Sequence, residues 1–169
     1  MQTLTDLYRL AYFLTGKCDA GLDATLEAVD STGDFFSGWM TAWSRRVVIS
    51  KALAGIRDEL TASARRTSVK RATTELPSRD WALSSGTKAA EFTRAILAID
   101  WFPRCALLLS IFERMSVEDA ATLLDATPEL VRKGQAIGLQ ELTVNLARGQ
   151  GWTSAEQVPY VMTGEMQHV

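Results

Sequence analysis

Thr127, Glu129, Arg132, Lys133 and Ala136 are spaced so that they fall on the outer side of one helix, close to its start. The stretch that holds them, "SVEDAATLLDATPELVRKGQ" (116–135), has the pattern of two helices joined by a tight turn. Ser116 is a good N-cap, and Glu118 and Asp119 follow in the first turn, where acids offset the positive helix end. Asp125-Ala126 makes the turn. Thr127 then caps, and Pro128 takes the first helical position, where its missing N–H costs nothing. Leu130, Val131, Ile137 and Leu142 can face inward. A helix presented in this way can lay side chains on the edges of DNA bases, with Arg132 and Lys133 as base or phosphate contacts and the helix amides near Thr127 as a further phosphate contact. A two-helix corner inside an all-α bundle has the same outline.

Catalytic chemistry has little to work with. The single histidine, His168, is next to the end of the chain, and the two cysteines, Cys18 and Cys105, are too far apart for a metal-ligand spacing. They are expected to be reduced, partly buried thiols. There is no Gly-rich phosphate loop and no nucleophile–base pair, so neither an enzyme nor a cofactor is expected.

Charge is unevenly spread. Between Arg45 and Arg71 there are eight cations (Arg45, Arg46, Lys51, Arg57, Arg65, Arg66, Lys70, Arg71) against two anions, a net of +6. Residues 1–44 carry two cations against six anions, a net of −4, although the whole chain is only −2. An acidic head joined to a basic middle suggests two partner surfaces, with plain solvated helix faces as the other reading. Arg45, Arg46, Lys51 and Arg57 could contact nucleic acid. Trp39 and Trp43, four apart, could stack on an unpaired base, although the helix's need for an inner stripe favours placing both in the core. Asp23 and Glu27, also four apart, share a face that suits a basic partner. From Pro103 to Arg148, five cations (Arg104, Arg114, Arg132, Lys133, Arg148) face six anions, so that part alone should bind duplex weakly.

The elements that must position these residues read as helix throughout. The chain has 169 residues, 47% of them apolar and 22% charged, enough to bury a core. Leu4, Leu7, Tyr8, Leu10, Ala11 and Leu14 mark a first helix closed by Gly16. Leu22, Leu26 and Val29 form a short second stripe that ends in the loop 30–33. A long third helix runs from about Phe36 to Leu60, with Gly55 tolerated inside it at roughly 1 kcal/mol. Residues 61–86, rich in Thr, Ser, Ala and Arg, read as a flexible linker, helical at most at its start. A second helical block spans 87–148, and the tail 149–169 has little regular pattern. The expectation is therefore an all-α chain of two small helical domains, 1–60 and 87–148, on a flexible linker. No basic leader precedes an apolar run, and the longest apolar stretch, Ala106 to Phe112, is far too short to span a bilayer, so a soluble, cytoplasmic protein is expected.

The run "AILAIDWFPRCALLLSIFERMSVEDAATLLDATPELVRKGQAIGLQEL" resembles the C-terminal region, region 4, of extracytoplasmic-function sigma factors of bacterial RNA polymerase. Pro103-Arg104-Cys105-Ala106-Leu107-Leu108-Leu109 matches the family's leading helix. Ser116, Glu118, Ala120 or Ala121, and Leu123-Leu124 match the next, and Thr127 and Val131 match the start of its recognition helix. "LYRLAYFLTG" is similar to the opening helix of region 2, Asp23 and Glu27 to its acidic pair, and "FFSGWMTAWSRR" to its Phe-x-x-Trp-Leu segment. The resemblance covers most of 4–146. It implies core RNA polymerase as the partner of Asp23 and Glu27. It also implies promoter DNA as the partner of Thr127, Glu129, Arg132, Lys133, Ala136 and of the helix holding Trp39, Trp43, Arg45, Arg46, Lys51 and Arg57; an anti-sigma factor is a further possible partner.

The chain also departs from the family pattern. Leu26 stands where a glutamine is usual, Arg46 and Ser50 replace an Asn and an Asp, and the segment between Glu27 and Phe36 is short. Gly134, Ile137 and Leu139 stand where the recognition helix usually has basic residues. These departures keep open an alternative, a sigma-fold interaction module that binds an anti-sigma factor with weak or lost DNA binding. A third expectation, a helix-turn-helix regulator acting as a homodimer, is the weakest.

Overall fold

The computed structural model describes residues 4–32, 40–70, 88–149 and 151. Eight α-helices are found among them: α1 (Leu4–Thr15), α2 (Cys18–Thr32), α3 (Met40–Ala54), α4 (Arg57–Val69), α5 (Ala89–Leu97), α6 (Trp101–Leu107), α7 (Val117–Leu124) and α8 (Pro128–Gly149). The last turn of α6 widens into a π-helical turn over Leu108–Phe112. The all-α expectation is correct, and no strand occurs among the described residues. Trp39, Arg71, the rest of the expected linker to residue 87 and the tail from 152 lie outside them.

Three boundaries differ from the sequence reading. The expected third helix is two helices. Gly55 marks the break between α3 and α4, and Ile56, with φ −123° and ψ 20°, turns the chain while its side chain stays buried. The stripe on α2 is reversed. Its core side carries Gly21, Ala24, Thr25 and Ala28, while Leu22 and Leu26 are about half exposed, at 49% and 50%. A Cβ at Gly21 would lie 3.0 Å from the Tyr12 backbone nitrogen, so α2 approaches α1 through small residues that a search for large apolar ones overlooks. Residues 30–32 of the expected loop are helical instead, because α2 continues to Thr32.

The third difference concerns the linker. Residues 61–69 belong to α4, whose inner side (Leu60, Ser63, Thr67) is buried. Helix α4 packs against α6 and α8. Ser63 Oγ accepts a hydrogen bond from the Phe102 amide at 2.8 Å, and Arg66 holds Asp100 through two hydrogen bonds of 2.9 Å each. One buried cluster runs from Leu7 and Leu14 of α1 through Ile49 and Ile56 to Phe102, Leu107, Val131 and Leu142, so the described residues of the two expected lobes share a core.

Helix α6 lies at the centre of that core, with Phe102 through Leu109 all buried. Helix α8 crosses it at its glycines. A Cβ at Gly134 would lie 2.9 Å from Phe102 Cε1, and one at Gly138 would lie 2.5 Å from the Pro103 carbonyl oxygen, which is backbone and cannot yield. Replacing Gly138 by alanine adds helix propensity of about 1 kcal/mol but forces the helices apart, and overpacking of this kind costs about 1–3 kcal/mol or more. A G138A protein is therefore expected to unfold at lower urea concentration than wild type, whereas G149A, with open space around its Cβ, unfolds at the same concentration or slightly higher.

Candidate functional site

The helix-turn-helix is built from local signals that all agree. Ser116 Oγ accepts from the Asp119 amide at 3.1 Å and so caps α7. The helix stops at Asp125, which takes a left-handed conformation (φ 50°, ψ 49°) that a short polar side chain tolerates. Thr127 Oγ1 accepts from the Leu130 amide at 3.3 Å, and Pro128 begins α8. Ala120, Ala121 and Leu124 of α7 and Val131, Gly134, Ile137 and Leu142 of α8 are buried. Thr127, Glu129, Arg132 and Ala136 are exposed on the outer side of the first turns of α8.

Gly134 and Ile137, two of the departures named above, are both buried, Gly134 against Phe102 and Ala106 of α6. Of the three departures in this helix, only Leu139 is on the outside, 49% exposed. The two cations near the start of α8 are both engaged within the chain. Arg132 reaches Glu118 Oε1 at 3.4 Å, an exposed pair of low strength, and Lys133 Nζ donates to the Ser68 carbonyl at the end of α4 at 2.7 Å.

The basic middle is placed differently from the expectation. Arg45 grips Glu113 through both carboxylate oxygens, its Nε donating to Oε2 at 2.6 Å, in a pair whose acid is only 10% exposed. Arg46 lies 3.6 Å from Asp119, Lys51 Nζ lies 3.1 Å from Glu27, Arg66 holds Asp100 and Lys70 pairs with Glu141. Arg45 and Arg46 thus meet acids from the turn after α6 and from α7. Arg57 and Arg65 are exposed, and neither has an ion pair among the described residues. Trp43 is 45% exposed rather than in the core; Trp39 lies outside the described residues.

On α2, Asp23 and Glu27 are both exposed beside Leu22 and Leu26, which gives an outer side of two leucines edged by acids. The large apolar part of that face was missed from sequence because both leucines were assigned inward. Arg104 was counted among the cations available to a duplex. It is 3% exposed, donating to the Leu97 and Ile99 carbonyls at 3.0 and 3.3 Å and to the Leu14 carbonyl at 3.4 Å, with Trp101 stacked 4.6 Å from its guanidinium. Cys105 beside it is also buried, and desolvation pushes its thiol up to about 12, while Cys18 is exposed.

Comparison with family models, with curated proteins and with solved structures finds no match. Among the described residues no group of His, Cys, Asp or Glu is arranged to hold a metal ion, and no helix is long and apolar enough to cross a membrane.

The Asp100–Arg66 clamp that fixes α4 to the start of α6 has a testable pH dependence. Burial raises the Asp100 pKa, but hydrogen bonds from Arg66, Ser63 and the Trp101 amide outweigh it and hold the carboxyl below its ordinary value. A lowered folded pKa adds stability that is present above the ordinary carboxylate value and lost as pH falls through the folded one. Urea midpoints of wild type and D100N should therefore differ most above about pH 5 and converge towards about pH 2. A gap that does not change with pH would contradict the clamp.

Proposed function

We propose that the chain is a sigma-type transcription initiation factor, which binds core RNA polymerase and brings a DNA-reading helix to promoter DNA. The observation that supports this most is the open N-terminal side of α8, where Thr127, Glu129, Arg132 and Ala136 project from a capped helix end packed against α7 and α6. The residues Thr127, Glu129, Arg132, Lys133 and Ala136 are then the base and phosphate contacts. The outer side of α2, with Asp23 and Glu27 edging Leu22 and Leu26, is the polymerase-docking face: acids attract a basic partner and the leucines supply apolar area to bury.

One observation favours a second reading, a sigma-fold module that binds an anti-sigma factor and has little use for DNA. Arg45 and Arg46 are engaged by Glu113 and Asp119, which lowers the positive charge that α3 offers to a promoter. The two readings part in a single assay series. As an initiation factor, the purified chain co-purifies with core polymerase and supports promoter-dependent run-off transcription. In that assay R132A/K133A lowers the yield at least tenfold, and D23K/E27K abolishes co-purification. A chain that binds no polymerase, or an R132A/K133A variant with full transcription, would contradict this function.

A further inference from the structure

Of the seven described cations of the basic middle, five are committed to acids of this chain: Arg45, Arg46, Lys51, Arg66 and Lys70. The two with no ion pair among the described residues, Arg57 and Arg65, are both on α4, the helix that takes in the start of the expected linker. They lie eight residues apart, about 12 Å along the axis and within a quarter turn of each other around it. The Arg57 edge of α4 borders the helix-turn-helix, and Arg65 is exposed two turns further along the same helix. Arg57, Thr61 and Ala64 line one cleft with Leu123, Leu124 and Asp125 of α7 and its turn, and one turn past Ala64 the Ser68 carbonyl receives Lys133 of α8.

We propose that α4 is a phosphate-contacting helix, so that a duplex read by the N-terminus of α8 is also gripped by Arg57 and Arg65. This rests on the DNA-binding reading above and adds to it a surface that the helix-turn-helix alone does not provide. The composition of the flank favours nucleic acid over a protein partner. It presents guanidiniums with Thr61 and Ser68 between them, and its only large exposed apolar side chain is Val69, at the last residue of α4. Protein interfaces need an apolar or aromatic centre, whereas phosphate contacts are made mostly by Arg, Lys and small polar side chains. The nearby acids are Asp58 on α4 and Asp125, Glu118 and Glu129 around the reading helix. They keep the net charge of the surface low, so two uncommitted arginines carry a large share of its attraction. The paired cations of α3 would first have to give up Glu113 and Asp119, and Arg57 and Arg65 have no such cost.

The test is binding of the full chain to fluorescent duplexes, selected with wild-type protein from a random-sequence pool, measured over a range of salt. R57A/R65A is expected to reduce the slope of log affinity against log salt by about 1.8, which is two phosphate contacts at about 0.9 each, with sequence preference unchanged. R57K/R65K should restore most of that slope. Because neither side chain has an ion pair among the described residues, the urea midpoint of R57A/R65A should match that of wild type. An R57A/R65A slope equal to that of wild type overturns the α4 surface and leaves the DNA-binding reading intact. Failure of wild type to enrich any sequence from the pool overturns the reading itself. Enrichment that is lost in R132A together with an intact slope in R57A/R65A confines the contact to α8 and also overturns the α4 surface.

Discussion

A buried guanidinium at the meeting point of three helix ends is the constraint on which this fold turns. Arg104 lies where α1 and α5 finish and α6 begins, and it donates to carbonyls that those ends leave without helical partners. Among the described residues no carboxylate pairs with it directly. The negative ends of α1 and α5 and the Trp101 ring take that role, and burial lowers the arginine's pKa without depriving it of its charge. Gly16 is required beside it twice over. Its φ of +66° ends α1, and a Cβ there would meet the guanidinium at 2.9 Å. Removing such a group leaves several buried carbonyls unsatisfied, each at a cost of about 1–3 kcal/mol. The first three helices are thereby tied to the platform that carries α8.

Small residues set the distances in the rest of the packing, and that decides what remains for the surface. Because α8 crosses α6 at Gly134 and Gly138, Phe102 and the Pro103 carbonyl fill the space where side chains would be, and the outer side of α8 stays free. Because α2 meets α1 through Gly21, Ala24 and Ala28, Leu22 and Leu26 are turned outward among acids. In both places the same choice brings two backbones close and puts the distinctive side chains in solvent, where a partner can meet them.

Local signals made part of this legible in advance. The helix-turn-helix could be read residue by residue, since Ser116, Thr127 and Pro128 act through their own backbone and need no knowledge of tertiary contacts. The exposure of Thr127, Glu129, Arg132 and Ala136 follows from the same local frame. What could not be read was decided by distant parts of the chain. The pairing of Arg45 with Glu113 spans 68 residues, and nothing near Arg45 hints at it. Arg104 looks like any surface cation until the ends of α1 and α5 close over it. The inward face of α2 was misjudged because hydrophobic periodicity gives weight to large side chains, while this contact is made by small ones. The break at Gly55 was missed because an apolar stripe persists across it: Leu53, Ile56 and Leu60 are all buried although the helix is interrupted between Ala54 and Arg57.

The claim that the two halves form one unit joined at Arg104 is tested most directly by native-state hydrogen exchange on wild type and R104M. If it holds, the slowest amides of α1 and of α6 in wild type share one opening free energy. In R104M, protection in α1, α2 and α3 should fall well below that in α6 and α8, because the first three helices can then open by themselves. Independent opening of α1 in the wild-type chain, or unchanged protection across all helices in R104M, would contradict it.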